Sequence, residues 1–161
     1  MDPRAEALIR ALSLAPHPEG GYYREIWRSS LQVSPQDGRS DRAALTTIYF
    51  LLPEGAVSRW HRVRSDEVWQ HVEGAPLDLW ITPPAFERVE RIQLGPLSAG
   101  ASPTHAVPAG WWQGACTAGT YTLVNCIVGP GFEFADFDFL ADDVDRADVF
   151  RRVARDAARF L

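Results

Sequence analysis

The sequence predicts an all-β barrel or sandwich with one helix at each end of the chain. Three observations lead there. Between Tyr22 and Phe139 the apolar residues come in short runs rich in Val, Ile, Thr and aromatics. Gly and Pro clusters punctuate those runs at near-regular intervals, at Pro53–Gly55, Gly74–Pro76, Pro83–Pro84, Gly95–Pro96, Pro108–Gly110 and Gly129–Gly131. Helical periodicity appears only outside that stretch.

The first element is a helix over about 2–13. Leu8, Ile9 and Leu12 recur at helical spacing, Asp2 is placed to cap, and Pro3 suits the first turn. The breaker-rich loop Ala15–Gly21 ends it. Strands are expected near 22–29, 45–52, 57–62, 67–73, 77–82, 86–94, 104–108, 111–117 and 120–128. Strands this short and this evenly spaced fit a closed barrel or a two-sheet sandwich. The polar segment Gln32–Arg42, with its Pro and Gly, reads as a mobile surface loop. The tail over about 142–160 is a second helix, with Val144, Phe150, Val153, Ala157 and Phe160 on one face. With no repeat and no linker, 1–161 reads as a single domain whose barrel core spans about 22–139.

Composition narrows the function classes. At 161 residues and 46% apolar, with six Trp, four Tyr and eight Phe, the chain has ample core material and is not disordered. A net charge of −5 argues against a nucleic-acid or anionic-membrane partner. All 16 basic residues are Arg, which excludes a Schiff-base lysine and a Walker-type phosphate lysine. The longest apolar runs, Ile48–Leu52 and Leu123–Val128, fall far short of a membrane span. No basic-then-apolar leader follows Met1, so a cytoplasmic location is expected. Cys116 and Cys126 read as buried thiols rather than a disulfide framework.

One segment carries the chemistry: Gly55-x5-His61-x-Val63-x3-Glu67-x6-Gly74. With Arg64–Asp66 read as a three-residue hairpin loop, Val63 faces Glu67 and His61 faces Trp69 across a ladder. Strand alternation then groups His61, Val63, Glu67, Trp69 and His71 on one face, with Val68 on the other. An imidazole and a carboxylate inside a small barrel make a candidate acid–base site.

This spacing resembles the first motif of the cupin superfamily, G-x5-H-x-H-x3,4-E-x6-G, with Val63 in place of the second His. The second cupin motif contains P-x-G-x2-H; here Pro108-Ala109-Gly110-Trp111-Trp112-Gln113 puts Gln113 where its His would stand, and Thr117 takes the place of its closing Asn. A narrower resemblance covers about Leu8 to Leu140. The blocks Pro16–Tyr22 (PHPEGGY), Thr47–Leu52 (TIYFLL), Ser65–Trp69 (SDEVW), Val107–Gln113 (VPAGWWQ) and Gly129–Phe137 (GPGFEFADF) are similar, in order, to the DUF985 or Cupin_5 family. Where that family often has a His directly after the Trp of the SDEVW block, this chain has Gln70, with His71 one place on. The resemblance implies a cupin double-stranded β-helix, that is, a jelly-roll barrel with flanking N- and C-terminal helices, and a homodimer. Relatives of that fold include sugar epimerases, isomerases and dioxygenases.

Three functional readings follow. In the first, His61 and Glu67 catalyse a metal-independent isomerisation or epimerisation of a sugar-like or carbonyl ligand, and Trp69, Gln113, Arg24 and Phe132 contact that ligand. An inward Arg24 or Arg28 would favour an anionic group. In the second, the same pocket holds a metabolite without chemistry, as a sensing module. In the third, His61, Glu67 and Gln113 hold a divalent metal. Val63 and Gln113 replace two of the three imidazoles of a full cupin site, so no cofactor is expected and tight metal binding is not. His17 and Glu19 border the pocket mouth in one reading. In the simpler one, Gly20-Gly21 marks only a tight turn.

Overall fold

A computed structural model of the chain describes residues 1–97 and 100–161. In chain order its elements are α1 (Pro3–Ala11), β1 (Ala15–Pro16), β2 (Tyr22–Arg28), β3 (Gln32–Val33), β4 (Arg42–Ala43), β5 (Thr46–Pro53), β6 (Val57–Val63), β7 (Asp66–Gly74), β8 (Leu77–Thr82), β9 (Glu90–Leu94), β10 (Thr104–Val107), β11 (Trp112–Thr117), β12 (Tyr121–Gly129), β13 (Phe137–Phe139) and α2 (Val144–Val153). Two antiparallel sheets face each other, one in the order β1-β2-β5-β12-β7-β10 and the other β13-β6-β11-β8-β9. β3 and β4 form a separate two-stranded ladder.

Three apolar clusters hold these layers. Phe50, Leu52, Trp69, Leu79, Ile81 and Val124 fill the space between the sheets. On the outside of the larger sheet, Ala5 and Leu8 of α1 pack on Leu51, Tyr121 and Leu123. Asp2 caps that helix by accepting from the Arg4 and Ala5 amides, and Pro3 occupies its first turn. On the outside of the smaller sheet, Phe150, Ala154, Ala157 and Phe160 cover Trp60 and Trp112. Burying each large apolar side chain of this kind contributes about 1.5–3 kcal/mol.

The structure corrects several expectations. β6 and β7 are not a hydrogen-bonded hairpin: they lie in opposite sheets, with His61 paired to Gln113 and Trp69 to His105 and Cys126. In a jelly roll, consecutive strands cross between sheets, and a tight turn looks the same in sequence whether the chain pairs back or crosses over. The strand expected over 86–94 begins only at Glu90, because the turn after Pro83-Pro84 continues through Phe86, whose φ is 61°. The 32–43 segment is pinned rather than mobile, by the β3–β4 ladder and by Arg39 and Arg42 on the buried Asp136. In the tail, Val144 and Val153 are exposed, while Ala147 and Phe150 are buried; α2 ends at Val153 and a short 3-10 turn follows at Ala158–Phe160. Cys116 is half-buried rather than buried, and both cysteines are free.

Candidate active site

A cavity of about 140 Å³ opens between the sheets. β6 contributes His61 and Val63, β7 Glu67, and β12 Cys126 and Val128. Phe132, Phe134 and Phe137 from the segment after β12 form an aromatic wall, and His17 and Glu19 enter from the loop before β2.

Two bulges decide which side chains enter. In β2 the register shifts between Glu25 and Trp27, so Tyr23, Glu25 and Arg28 pair with Phe50, Ile48 and Thr46. One extra residue thereby sends Arg28 into the cavity lining and leaves Trp27 exposed. Arg24 does not reach the site: it lies between two inward residues and donates to the Leu12 carbonyl at 3.1 Å on the outer surface. In β6 a register shift opposite Gly114 puts Ser58 and His61, three residues apart, on the same inner side. Ser58 Oγ donates to Glu19 Oε1 at 2.9 Å, and Glu19 Oε2 lies 3.2 Å from His61 Nε2.

Glu19 is therefore a site residue as well as a turn residue, against the simpler reading of its glycines. Gly20 and Gly21 have φ of 117° and 67°, and a Cβ on Gly20 would lie 2.0 Å from the Val57 carbonyl oxygen. Only glycine lets the loop press this closely on β6, and that approach drives Glu19 inward. A Gly-Gly pair beside a polar residue was the available signal. It points to close backbone contact, not only to a turn.

Hydrogen-bond donors fix the protonation pattern. His61 Nδ1 is 2.7 Å from the Arg59 carbonyl, which can only accept, so Nδ1 carries a hydrogen. The indole of Trp69 can only donate, and it donates to Gln113 Oε1 at 3.0 Å. Gln113 therefore presents its amino group to the site, donating to Glu67 Oε2 at 2.5 Å and approaching His61 Nε2 at 3.1 Å. Trp69 shares the inner side with Glu67, as strand alternation predicts, but neither Trp69 nor Gln113 is part of the cavity wall; both support it from beneath. Phe132 lines the wall directly. His71 turns away and faces the Ala75 carbonyl.

Burial governs the titration of the cluster. It pushes the Glu19 and Glu67 carboxyls above the ordinary carboxylate range, and His61 and His17 below the ordinary imidazole value. Opposing charge, from His17 on Glu19 and from His61 on Glu67, offsets this only in part. Glu19 and His61, 3.2 Å apart, are thus an acid–base pair in which burial disfavours the charged form of each partner.

The donor set does not fit a metal held by His61, Glu67 and Gln113. A metal ligand must offer a lone pair, yet the Gln113 oxygen is turned to Trp69 and an amide nitrogen faces the site. Val63 adds hydrocarbon where a donor would be needed. Among the described residues, no group of three or more His, Cys, Asp or Glu side chains is arranged to hold a metal ion.

Two facing antiparallel sheets in this strand order, with a His–Glu site between them, define a cupin-type jelly roll. The chain belongs to the cupin superfamily family DUF985 (Cupin_5), whose model matches residues 6–140. It is similar to a hypothetical protein from Leishmania major, with 33% identity, a TM-score of 0.84 and coverage of 94% of this chain and 97% of that one. A protein from Shewanella oneidensis is 32% identical, with a TM-score of 0.83 and coverage of 98% and 96%. Oxalate decarboxylase from Bacillus subtilis shares the fold at 15% identity and a TM-score of 0.58 over 85% of this chain and 33% of its own. Comparison with the curated proteins returns no match. Among the described residues, no helix is long and apolar enough to cross a membrane.

Proposed function

We propose that this cupin binds a small, sugar-like or carbonyl-bearing molecule and isomerises or epimerises it by metal-independent proton transfer. The observation that supports this best is the pair of buried carboxyls, Glu19 in contact with His61 and Glu67 joined to it through Gln113, in an otherwise largely apolar, aromatic-walled cavity. Groups with raised carboxyl pKa values are poised to exchange protons near neutrality. In the proposed cycle Glu67 takes the proton from the carbon beside the carbonyl. The electron pair moves into an enol, and the carbonyl oxygen receives the proton shared by Glu19 and His61. Glu67 then returns its proton, to the neighbouring carbon for isomerisation or to the other face of the same carbon for epimerisation, while the hydroxyl that becomes the product carbonyl gives its proton back to the Glu19–His61 pair. Gln113 and Trp69 hold Glu67 and His61 in place.

Solvent deuterium tests the reading. Protein incubated in D2O with a panel of aldose and ketose sugars should place deuterium on the carbon next to the carbonyl, followed by NMR. Glu67→Gln should reduce the rate by about 10²–10⁴-fold. A folded wild-type protein that exchanges no panel member overturns the enzymatic reading and leaves a binding module. The same proposal takes the protein as a cytoplasmic homodimer. Ile26, Trp27, Leu31 and Leu45 are exposed near the part of β2 that has no outer partner strand, which supports pairing of subunits there. Sedimentation velocity should show a species of twice the 17.9 kDa chain mass.

A further inference from the structure

The cavity's size and charge narrow the ligand class, given the reading above that this cavity is a small-molecule site. About 140 Å³ is close to the roughly 150 Å³ cavity that accommodates a benzene ring, so one six-membered ring fills it and a nucleotide does not fit inside. Four carboxyls line it, Glu19, Glu25, Glu67 and Glu133, against one arginine, Arg28. That arginine is already committed: Glu25 and Glu133 each bind it at 2.8 Å, and it also donates to the Phe132 carbonyl. The nearby Arg59 is not part of the wall; its guanidinium stacks on Phe139 at 4.2 Å and donates to the Pro18 carbonyl. Among the described residues, no lining arginine is left unpaired for an anionic ligand, while the mouth carries one more carboxylate than guanidinium. Phe132, Phe134 and Phe137 add ring faces, which attract cations through their negative quadrupoles.

We infer that the cavity selects a ring-sized ligand bearing a positively charged amine, with Glu67 as its counter-ion and Glu19 as a further oxygen acceptor for the ammonium group. Such a cation replaces the missing positive partner of the two buried carboxyls. Its arrival favours the ionised form of Glu67, so the ligand itself produces the carboxylate that the proton transfer needs. An inward arginine at the mouth, taken alone, points to an anionic ligand; the two glutamates that hold it reverse that conclusion.

Cyclohexylamine, cyclohexanol and cyclohexanecarboxylate share a ring and differ in charge, and calorimetric titration of the three into wild-type protein tests the inference. The amine should bind at least about tenfold more tightly than the alcohol, and the carboxylate most weakly. In a Glu19→Gln, Glu67→Gln double variant the amine should lose that advantage over the alcohol. Equal affinities, preference for the carboxylate, or no binding of any of the three to wild-type protein overturns the inference. The deuterium experiment reads independently of this one. Exchange of a neutral sugar without amine preference removes the charge selection and leaves the proton transfer. Amine preference without exchange does the reverse.

Discussion

Two buried polar clusters in the molecule are built on opposite terms. In the clamp, Asp136 receives Arg42 through two bonds of 2.9 and 3.0 Å and Arg39 through a third of 3.0 Å. Its carboxyl is held below the ordinary range, first by Arg42. In the cavity, Glu19 and Glu67 meet a hydroxyl, an amide and two histidines but no bound guanidinium, and burial pushes them up. The clamp's charges are matched, so it serves architecture: it ties the 32–43 segment to the 3-10 turn Phe134–Asp136, within the stretch that carries the aromatic wall. The cavity's carboxyls are unmatched, and an unmatched buried acid is what proton transfer or a cationic ligand requires. Both clusters are deeply buried, so burial alone does not separate structure from function; the presence of a counter-charge does.

Breaking the clamp should have the largest effect. Asp136→Asn leaves Arg39 and Arg42 buried without their shared carboxylate and should cost about 3–5 kcal/mol, read by calorimetric or denaturant unfolding. Trp69→Phe removes the bond that orients Gln113 and some buried volume, for about 1–3 kcal/mol. It should also slow deuterium exchange, since the freed amide can turn its oxygen toward Glu67.

The two clusters should respond to pH with opposite sign. For Asp136, whose folded pKa is depressed below 3.8, the unfolded chain binds more protons between the two values. Its stabilisation is present above that unfolded value and is lost as pH falls through the folded one. For Glu67 and Glu19, raised above 4.5, the folded chain binds more protons. Their contribution is present below 4.5 and is lost as pH rises through the folded value. His61, lowered from 6.5, adds stability above that value that is lost on acidification. Unfolding measured from acid to alkaline pH should therefore show Asp136→Asn flattening the acid limb, and the double Glu→Gln variant flattening the decline above 4.5. The smallest effect belongs to Glu67→Gln at low pH. There it replaces a protonated acid by a near-isostere and should change stability by less than about 1 kcal/mol while abolishing exchange.

Sequence pattern reached the fold more surely than the site. Period-two alternation with Gly and Pro punctuation places the long strands, because both are local. Pairing is not local, which is why β6 and β7 look like a hairpin and sit in opposite sheets. His61 and Glu67 were legible from motif spacing and alternation. Glu19 was legible only as a residue bordering the pocket mouth in one of two readings, since it lies on a loop without periodicity and reaches His61 through the close approach that Gly20 permits. The exchange of Arg24 for Arg28 follows from a bulge, and a one-residue insertion in a strand leaves no mark in composition. In the tail, Val144 and Val153 have the apolar character of a core residue, but the contacts to Trp60 and Trp112 select Phe150 and small alanines instead.

The central claim is that the cavity holds two uncompensated carboxyls, and carbon-detected NMR of protein labelled at the glutamate side-chain carboxyls tests it most directly. The account predicts two resonances that titrate above 4.5, one lost in Glu19→Gln and the other in Glu67→Gln, while Glu73, held by Arg4 and Tyr121, titrates below the ordinary range. If both cavity carboxyls ionise at or below 4.5, they have a counter-charge that the structure does not show, and the acid–base site fails with them.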